Sequence, residues 1–202
     1  MTIGVLAMQG DFSEHVAMLR RIGACGGEPV HAREVRNRAE LEAVDGLVIP
    51  GGESTTIGRL LRDFDLLDPL RRRVEAGMPV FGSCAGAIAL ARNVDGLPQP
   101  LIGLMDITVR RNAYGRQLQS FETDLPIPEL GDPPMRAIFI RAPSFTSAGA
   151  EVRVLARLPD GAIVAARQRA MLAISFHPEL TGDDRLHRYF ADMVLSVRSA
   201  AA

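Results

Sequence analysis

Residues 79–91 read PVFGSCAGAIALA: a short apolar run closes on the small-residue cluster Gly82-Ser83-Cys84-Ala85-Gly86 and passes directly into a run with helical character. A buried strand that turns into a helix through such a cluster belongs to an α/β architecture and has the layout of a nucleophile elbow, where the cramped corner tolerates only small neighbours. The same alternation runs outward on the N-terminal side. IGVLA (3–7) is a strand, and FSEHVAMLRRIG (12–23) carries Phe12, Val16, Leu19 and Ile22 at helical spacing. EPVHAR and GLVIP read as further strands, TIGRLLRDFDLLDPLRRRVEAG as one or two helices, and AGAIALARN as a small-residue helix after the elbow. Strands alternating with helices predict a mostly parallel central sheet covered on both faces, a three-layer α/β fold.

After Gly103 the rhythm changes. LMDITVRR, RQLQSFETDL, MRAIFIRAP, AEVRVLARL, AIVAARQ and AMLAISFHP follow one another at turn-length separations, which predicts antiparallel additions to the same sheet. A closing helix, DRLHRYFADMVLSVRS, gathers Leu186, Phe190, Met193, Val194 and Val197 on one face. With 202 residues, 47% of them hydrophobic and 23% charged, the chain is expected to form one domain spanning 1–202.

A net charge of −1 supplies no cationic surplus for a phosphate backbone or an anionic bilayer, so neither nucleic acid nor membrane is expected as a partner. The N-terminus lacks the pattern of a signal peptide and no run has the length of a membrane span, which predicts a cytoplasmic protein. The two cysteines, Cys25 and Cys84, have no Cys/His cluster of metal-ligand spacing around them. They indicate neither a disulfide framework nor a metal site, and nothing calls for a cofactor.

At the elbow, the helix N-terminus favours a thiolate at Cys84, and the N–H of Ala85 points where an oxyanion would form. The alternative is a glycine-rich turn around a packed, inert cysteine. A thiolate needs a base and a group to orient it. His15 and His187 lie on helical stretches among charged residues and read as solvated, and His31 lies in an edge-like strand. His177 instead ends a strand, in AISFHPELTG (173–182), where Pro178 biases it towards extended backbone. Glu179, two residues on and about 6–7 Å along the same side of an extended chain, then reaches the imidazole. Cys84 and His177 both fall at predicted strand ends, where distant segments meet at the carboxyl edge of a sheet. In LVIPGGESTTIGRLL (47–61), Gly51 and Gly52 are candidates to complete an oxyanion hole. Glu53, Ser54 and Thr55 start a helix, with Ser54 or Thr55 as its N-cap.

The elbow with the distant HPE turn resembles the class I, or triad, glutamine amidotransferases, a flavodoxin-like family. GVLAMQGDFSEH, PGGESTTIGRLL, GSCAGAIALA, RRNAYGRQLQSFE, FIRAPSF and ISFHPELTGDDRLHRYF, in this order over almost the whole chain, are similar to the glutaminase subunits of pyridoxal 5′-phosphate synthases. That resemblance implies hydrolysis of L-glutamine to glutamate and ammonia, with the ammonia passed to a separate synthase subunit in a heteromeric complex. It implies Cys84 as nucleophile, His177 as base and then acid, and Glu179 as the orienting carboxylate. Gly52, Glu53, Ser54, Arg111, Ile140 and Arg141 would contact glutamine. It also implies low activity alone and a rise on docking, when the Gly51-Gly52 peptide takes its donor orientation. Ser83 and Tyr114 depart from the threonine and phenylalanine the pattern leads one to expect, and Arg110 beside Arg111 leaves two guanidinium groups in contention, with the motif's register favouring Arg111. Two other readings stand beside this one: a glutaminase serving another ammonia acceptor, and a non-enzymatic cysteine-elbow protein, which predicts no ordered His177-Glu179 pair near the thiol.

Overall fold

A computed structural model describes residues 1–96, 98–113 and 120–201. In its first half the chain runs β1 (Thr2–Leu6), α1 (Phe12–Ile22), β2 (Ala24–Cys25), β3 (Glu28–Pro29), β4 (His31–Val35), α2 (Arg38–Glu42), β5 (Gly46–Ile49), α3 (Ser54–Asp63), α4 (Leu67–Glu75), β6 (Val80–Ser83) and α5 (Ala85–Leu90). The second half is mostly strand: β7 (Ala91–Asp95), β8 (Met105–Arg110), β9 (Ser120–Leu125), β10 (Met135–Ile140), β11 (Ser144–Ala148), β12 (Arg153–Arg157), β13 (Ile163–Gln168) and β14 (Met171–Ile174). The long helix α6 (Arg185–Ala201) closes it.

The main sheet has the order β4-β1-β5-β6-β14-β13-β11-β8-β7, with β12 added against β13. From β4 to β14 every pairing is parallel; β13 pairs antiparallel with β14 and β12, and β11 pairs antiparallel with β13 and β8. The α/β class with antiparallel additions therefore stands as read from the sequence. Parallel strands buried on both faces are apolar on both. Val5, Val48, Phe81 and Ile174 point to one core with Leu19 of α1 and Phe190 of α6. Leu6, Ile49, Val80 and Ala173 point to the other with Ile57, Leu70 and Ala87 of the helices α3, α4 and α5. No helix among the described residues is long and apolar enough to cross a membrane.

The structure differs from expectation at several places. The strands around RQLQSFETDL and MRAIFIRAP do not extend the main sheet among the described residues: β9 and β10 pair with each other, as a hairpin tied to the core by stacking of Phe121 on Phe139 and contact of Phe139 with Phe176. Arg116–Gln119 of that predicted strand, and Tyr114, lie outside the described residues. EPVHAR divides between β3, which pairs with β2, and β4, which edges the main sheet. The helix after the elbow stops at Leu90, and Ala91-Arg92-Asn93 turn into β7. The N-cap of α3 is Glu53, whose carboxylate accepts from the Thr55 N–H, rather than Ser54 or Thr55. Val197, expected on the buried face of α6, is partly exposed.

Candidate active site

The carboxyl ends of β1, β5, β6 and β14 lie side by side, so the segments that leave them, Gln9 to Asp11, Gly51 to Glu53, Cys84 and His177 to Glu179, arrive at one edge of the sheet. Cys84 occupies the turn between β6 and α5 with φ 48° and ψ −104°, a conformation that costs a side-chain-bearing residue about 1–3 kcal/mol. Its N–H donates to the Ile174 carbonyl at 2.9 Å, fixing the elbow to β14. The flanking glycines are dictated by contact. A Cβ on Gly86 would stand 2.0 Å from the Ile49 carbonyl oxygen, and one on Gly82 would stand 2.5 Å from the Gly86 carbonyl. As the first residue of α5, Ala85 has an N–H with no acceptor inside the helix, and the residue lines the cavity in front of Cys84.

His177 Nδ1 lies 2.7 Å from Glu179 Oε1, which leaves Nε2 for the thiol. The approach differs from the extended geometry expected: Pro178–Leu180 form a 3-10 turn, and the carboxylate meets the imidazole because the turn folds it back. Burial pulls the His177 pKa down, but the hydrogen bonds with Cys84 and Glu179 and their charges outweigh it and push it up to about 10. Burial, with a smaller contribution from the Asp11 charge, raises the Glu179 pKa, so its ionised form depends on the imidazolium beside it. The His177 N–H donates to Ile138 O at 2.9 Å, anchoring the β9–β10 hairpin to the histidine turn.

A cavity of about 470 Å³ opens in front of these groups. Of the residues singled out in the sequence, Gly52, Glu53, Ser54, Cys84, Ala85, Arg111, Ile140, Arg141 and His177 line it. Glu179 lies behind His177, and Gly51 packs beneath it, so close that a Cβ there would stand 2.5 Å from His177 Cε1. Across the opening, Arg111 donates to Glu53 Oε1 at 2.6 Å, whereas Arg110 turns away to Asp95 at 3.6 Å. Asn112 and Arg141 line the cavity with positive φ of 47° and 44°, and their segments are joined by the Ala113 N–H to Ala142 carbonyl bond at 3.1 Å.

Sequence reasoning missed three contributors and misplaced two histidines. Asp11 lines the cavity with Oδ2 3.6 Å from His177 Nδ1, and Gln9 accepts from the Glu53 N–H at 3.1 Å while its amide fills the space a Gly52 side chain would need. Asn112 is the third, and all three lie inside the stretches GVLAMQGDFSEH and RRNAYGRQLQSFE, where the sequence alone marks no role for them. His15 and His187, expected in solvent, are fully buried. Each falls on an apolar face at helical spacing, His15 with Leu19 and Ile22, His187 with Phe190 and Val194, and that signal was present in the sequence. Asp11, His177 and Glu179 place ligand-type atoms within 4.8 Å of one another, yet His177 Nδ1 is already engaged by Glu179 Oε1, so the cluster works as a hydrogen-bonded unit.

Among known proteins, the pyridoxal 5′-phosphate synthase subunit PdxT of Kineococcus radiotolerans is 60% identical over 201 residues, covering 96% of this chain and 94% of that protein. The subunit of the same name from Nocardia farcinica is 62% identical over 200 residues, covering 96% and 85%. A crystal structure of a glutamine amidotransferase superposes with a TM-score of 0.88 at 50% identity, covering 95% of this chain and 98% of the other. Residues 5–196 match the SNO glutamine amidotransferase family, and the chain belongs to that family.

Proposed function

We propose that this chain hydrolyses L-glutamine to L-glutamate and ammonia and delivers the ammonia to the synthase subunit of a pyridoxal 5′-phosphate synthase in the cytoplasm. The observation that carries the reading is Cys84, strained at its elbow, opening with His177 onto one cavity whose far side holds the Glu53-Arg111 pair. Glutamine presents a carboxylate, an ammonium and a neutral amide. Arg111 matches the first and Glu53 the second, so the zwitterion replaces an existing ion pair charge for charge and the amide is left facing the thiol. Ser54, Ile140 and Arg141 complete the walls of the pocket.

Cys84 Sγ attacks the amide carbon, and the electron pair displaced onto oxygen is held by the N–H groups of Ala85 and the Gly51-Gly52 loop. His177, held as imidazolium by Glu179, gives its Nε2 proton to the departing nitrogen, and the C–N bond breaks to release ammonia. The same nitrogen then takes a proton from water, which adds to the thioester and frees glutamate and the thiol. The relatives named as pyridoxal 5′-phosphate synthase subunits support the identity of the ammonia acceptor. The ordered His177-Glu179 pair speaks against a non-enzymatic cysteine-elbow protein.

The test is glutamine turnover with the synthase subunit present. The wild-type chain releases ammonia, and Cys84→Ala binds glutamine without turning it over. Turnover retained by Cys84→Ala contradicts the proposal, and a wild-type rate unchanged by the synthase subunit contradicts the proposed partner.

A further inference from the structure

The mechanism uses one oxygen of Glu179 and none of the groups behind it. The other oxygen, Oε2, is buried with no aligned hydrogen bond, and His15 Nε2 lies 3.3 Å from it. His15 Nε2 also lies 3.0 Å from Ser83 Oγ, next to the nucleophile in sequence, and His15 Nδ1 lies 3.0 Å from His187 Nε2. The segments involved come from α1, α6, the end of β6 and the turn after β14, so four separate parts of the chain converge on a buried cluster. Ser83, which departs from the expected threonine, keeps the hydroxyl this cluster uses.

Both imidazoles are neutral. Burial, followed by the charges of His187 and His177, pulls His15 well below the ordinary histidine range, and burial lowers His187 to about 4. Two tautomeric arrangements are then open. With the proton on His15 Nδ1, its bare Nε2 lone pair faces the Glu179 carboxylate, and His187 must bury an N–H at Nδ1, where it has no partner. With the proton on His15 Nε2, His187 Nε2–H donates to His15 Nδ1, and the unpartnered atom is merely a bare acceptor. An unpaired buried N–H is the rarer defect, and a lone pair against a buried carboxylate is repulsive, so the second arrangement is favoured.

We propose that His15, set in its Nε2–H tautomer by His187, is a positioning residue that presents its N–H to Ser83 Oγ and the far oxygen of Glu179, holding that carboxylate ionised and aligned on His177. The inference rests on the triad reading above and extends it inward. The charged or titratable groups facing Glu179 are His177 with Cys84 beyond it, Asp11 and His15. Asp184 and Arg21 act on His187 from behind. Without His15 the carboxylate loses the imidazole N–H 3.3 Å from its far oxygen, and His177 loses counter-charge.

The test uses the full chain with its synthase subunit. In His15→Phe, kcat for glutamine falls about 10- to 100-fold, the scale known for losing an outer hydrogen-bonding partner of a metal-site ligand. KM stays within about twofold, and the alkaline limb of the rate profile, where His177 loses its proton, moves to lower pH. His15→Gln, which retains an N–H donor, recovers part of both. A folded His15→Phe with wild-type kcat and pH profile overturns the proposal. Nitrogen-15 spectra of the imidazoles in the unmutated protein decide the matter independently of folding: protonation of His15 at Nε2 is expected, and protonation at Nδ1 overturns it. If the wild-type protein releases no ammonia from glutamine, the glutaminase reading fails, while the spectra still judge the tautomer.

Discussion

Burying His15 and His187 in series behind the Glu179 carboxylate makes the fold sensitive to acid, and the size of the effect follows from His187. Its pKa falls from 6.5 to about 4 on folding, chiefly because burial excludes the charged form. Between those values the unfolded chain binds a proton that the folded chain refuses, so stability is fully present above about pH 6.5 and drains away as pH falls towards 4. The limiting linkage is about 3 kcal/mol, and at about pH 5 the loss from this one group is about 2 kcal/mol. His177 works in the opposite direction. Raised to about 10, it contributes stability fully below 6.5 that is lost as pH rises through about 10. His187→Phe removes the first effect, and over the range tested His177, raised to about 10, stays protonated in the folded state. Urea unfolding followed by circular dichroism at about pH 7.5 and about pH 5 should give a pH-dependent loss smaller in His187→Phe by about 2 kcal/mol. Equal losses in the two proteins refute the claim that His187 is buried as the neutral base.

Two further outcomes follow from the site. Arg111→Ala should raise KM for glutamine by about tenfold or more with a smaller change in kcat, since a charge-assisted contact to a carboxylate contributes about 1.5–3 kcal/mol; steady-state kinetics check it, and an unchanged KM removes Arg111 from the pocket's chemistry. Burial and the Asp192 carboxylate at 2.7 Å push the Cys25 thiol up to about 12, so iodoacetamide near neutral pH should spare Cys25. Peptide mapping after alkylation should find the label at Cys84 and none at Cys25, with ammonia release lost in step.

The elbow, the parallel half of the sheet and the HPE turn were legible because each is governed by short-range rules: apolar runs, glycines at close contacts and a proline after the histidine. The β9–β10 hairpin was legible as strands but not in its placement, because alternation in SFETDL and MRAIFI specifies a half-buried strand without naming its partner. Its attachment depends on Phe139 meeting Phe176, a contact between distant segments. Asp11 was hidden because a carboxylate before a helix reads equally as a cap, although here its side chain makes no capping bond. His15 and His187 were misjudged on the charge of their sequence neighbours, when their positions relative to Leu19 and Phe190 placed them inside.

The central claim is that the Cys84 sulfur forms a covalent bond to the substrate, and the most direct measurement is mass spectrometry of the chain acid-quenched during glutamine turnover with the synthase subunit present. The account predicts a γ-glutamyl adduct, glutamine less ammonia, on the peptide carrying Cys84 and its absence in Cys84→Ala. An adduct on another residue, or ammonia release by Cys84→Ala, contradicts it.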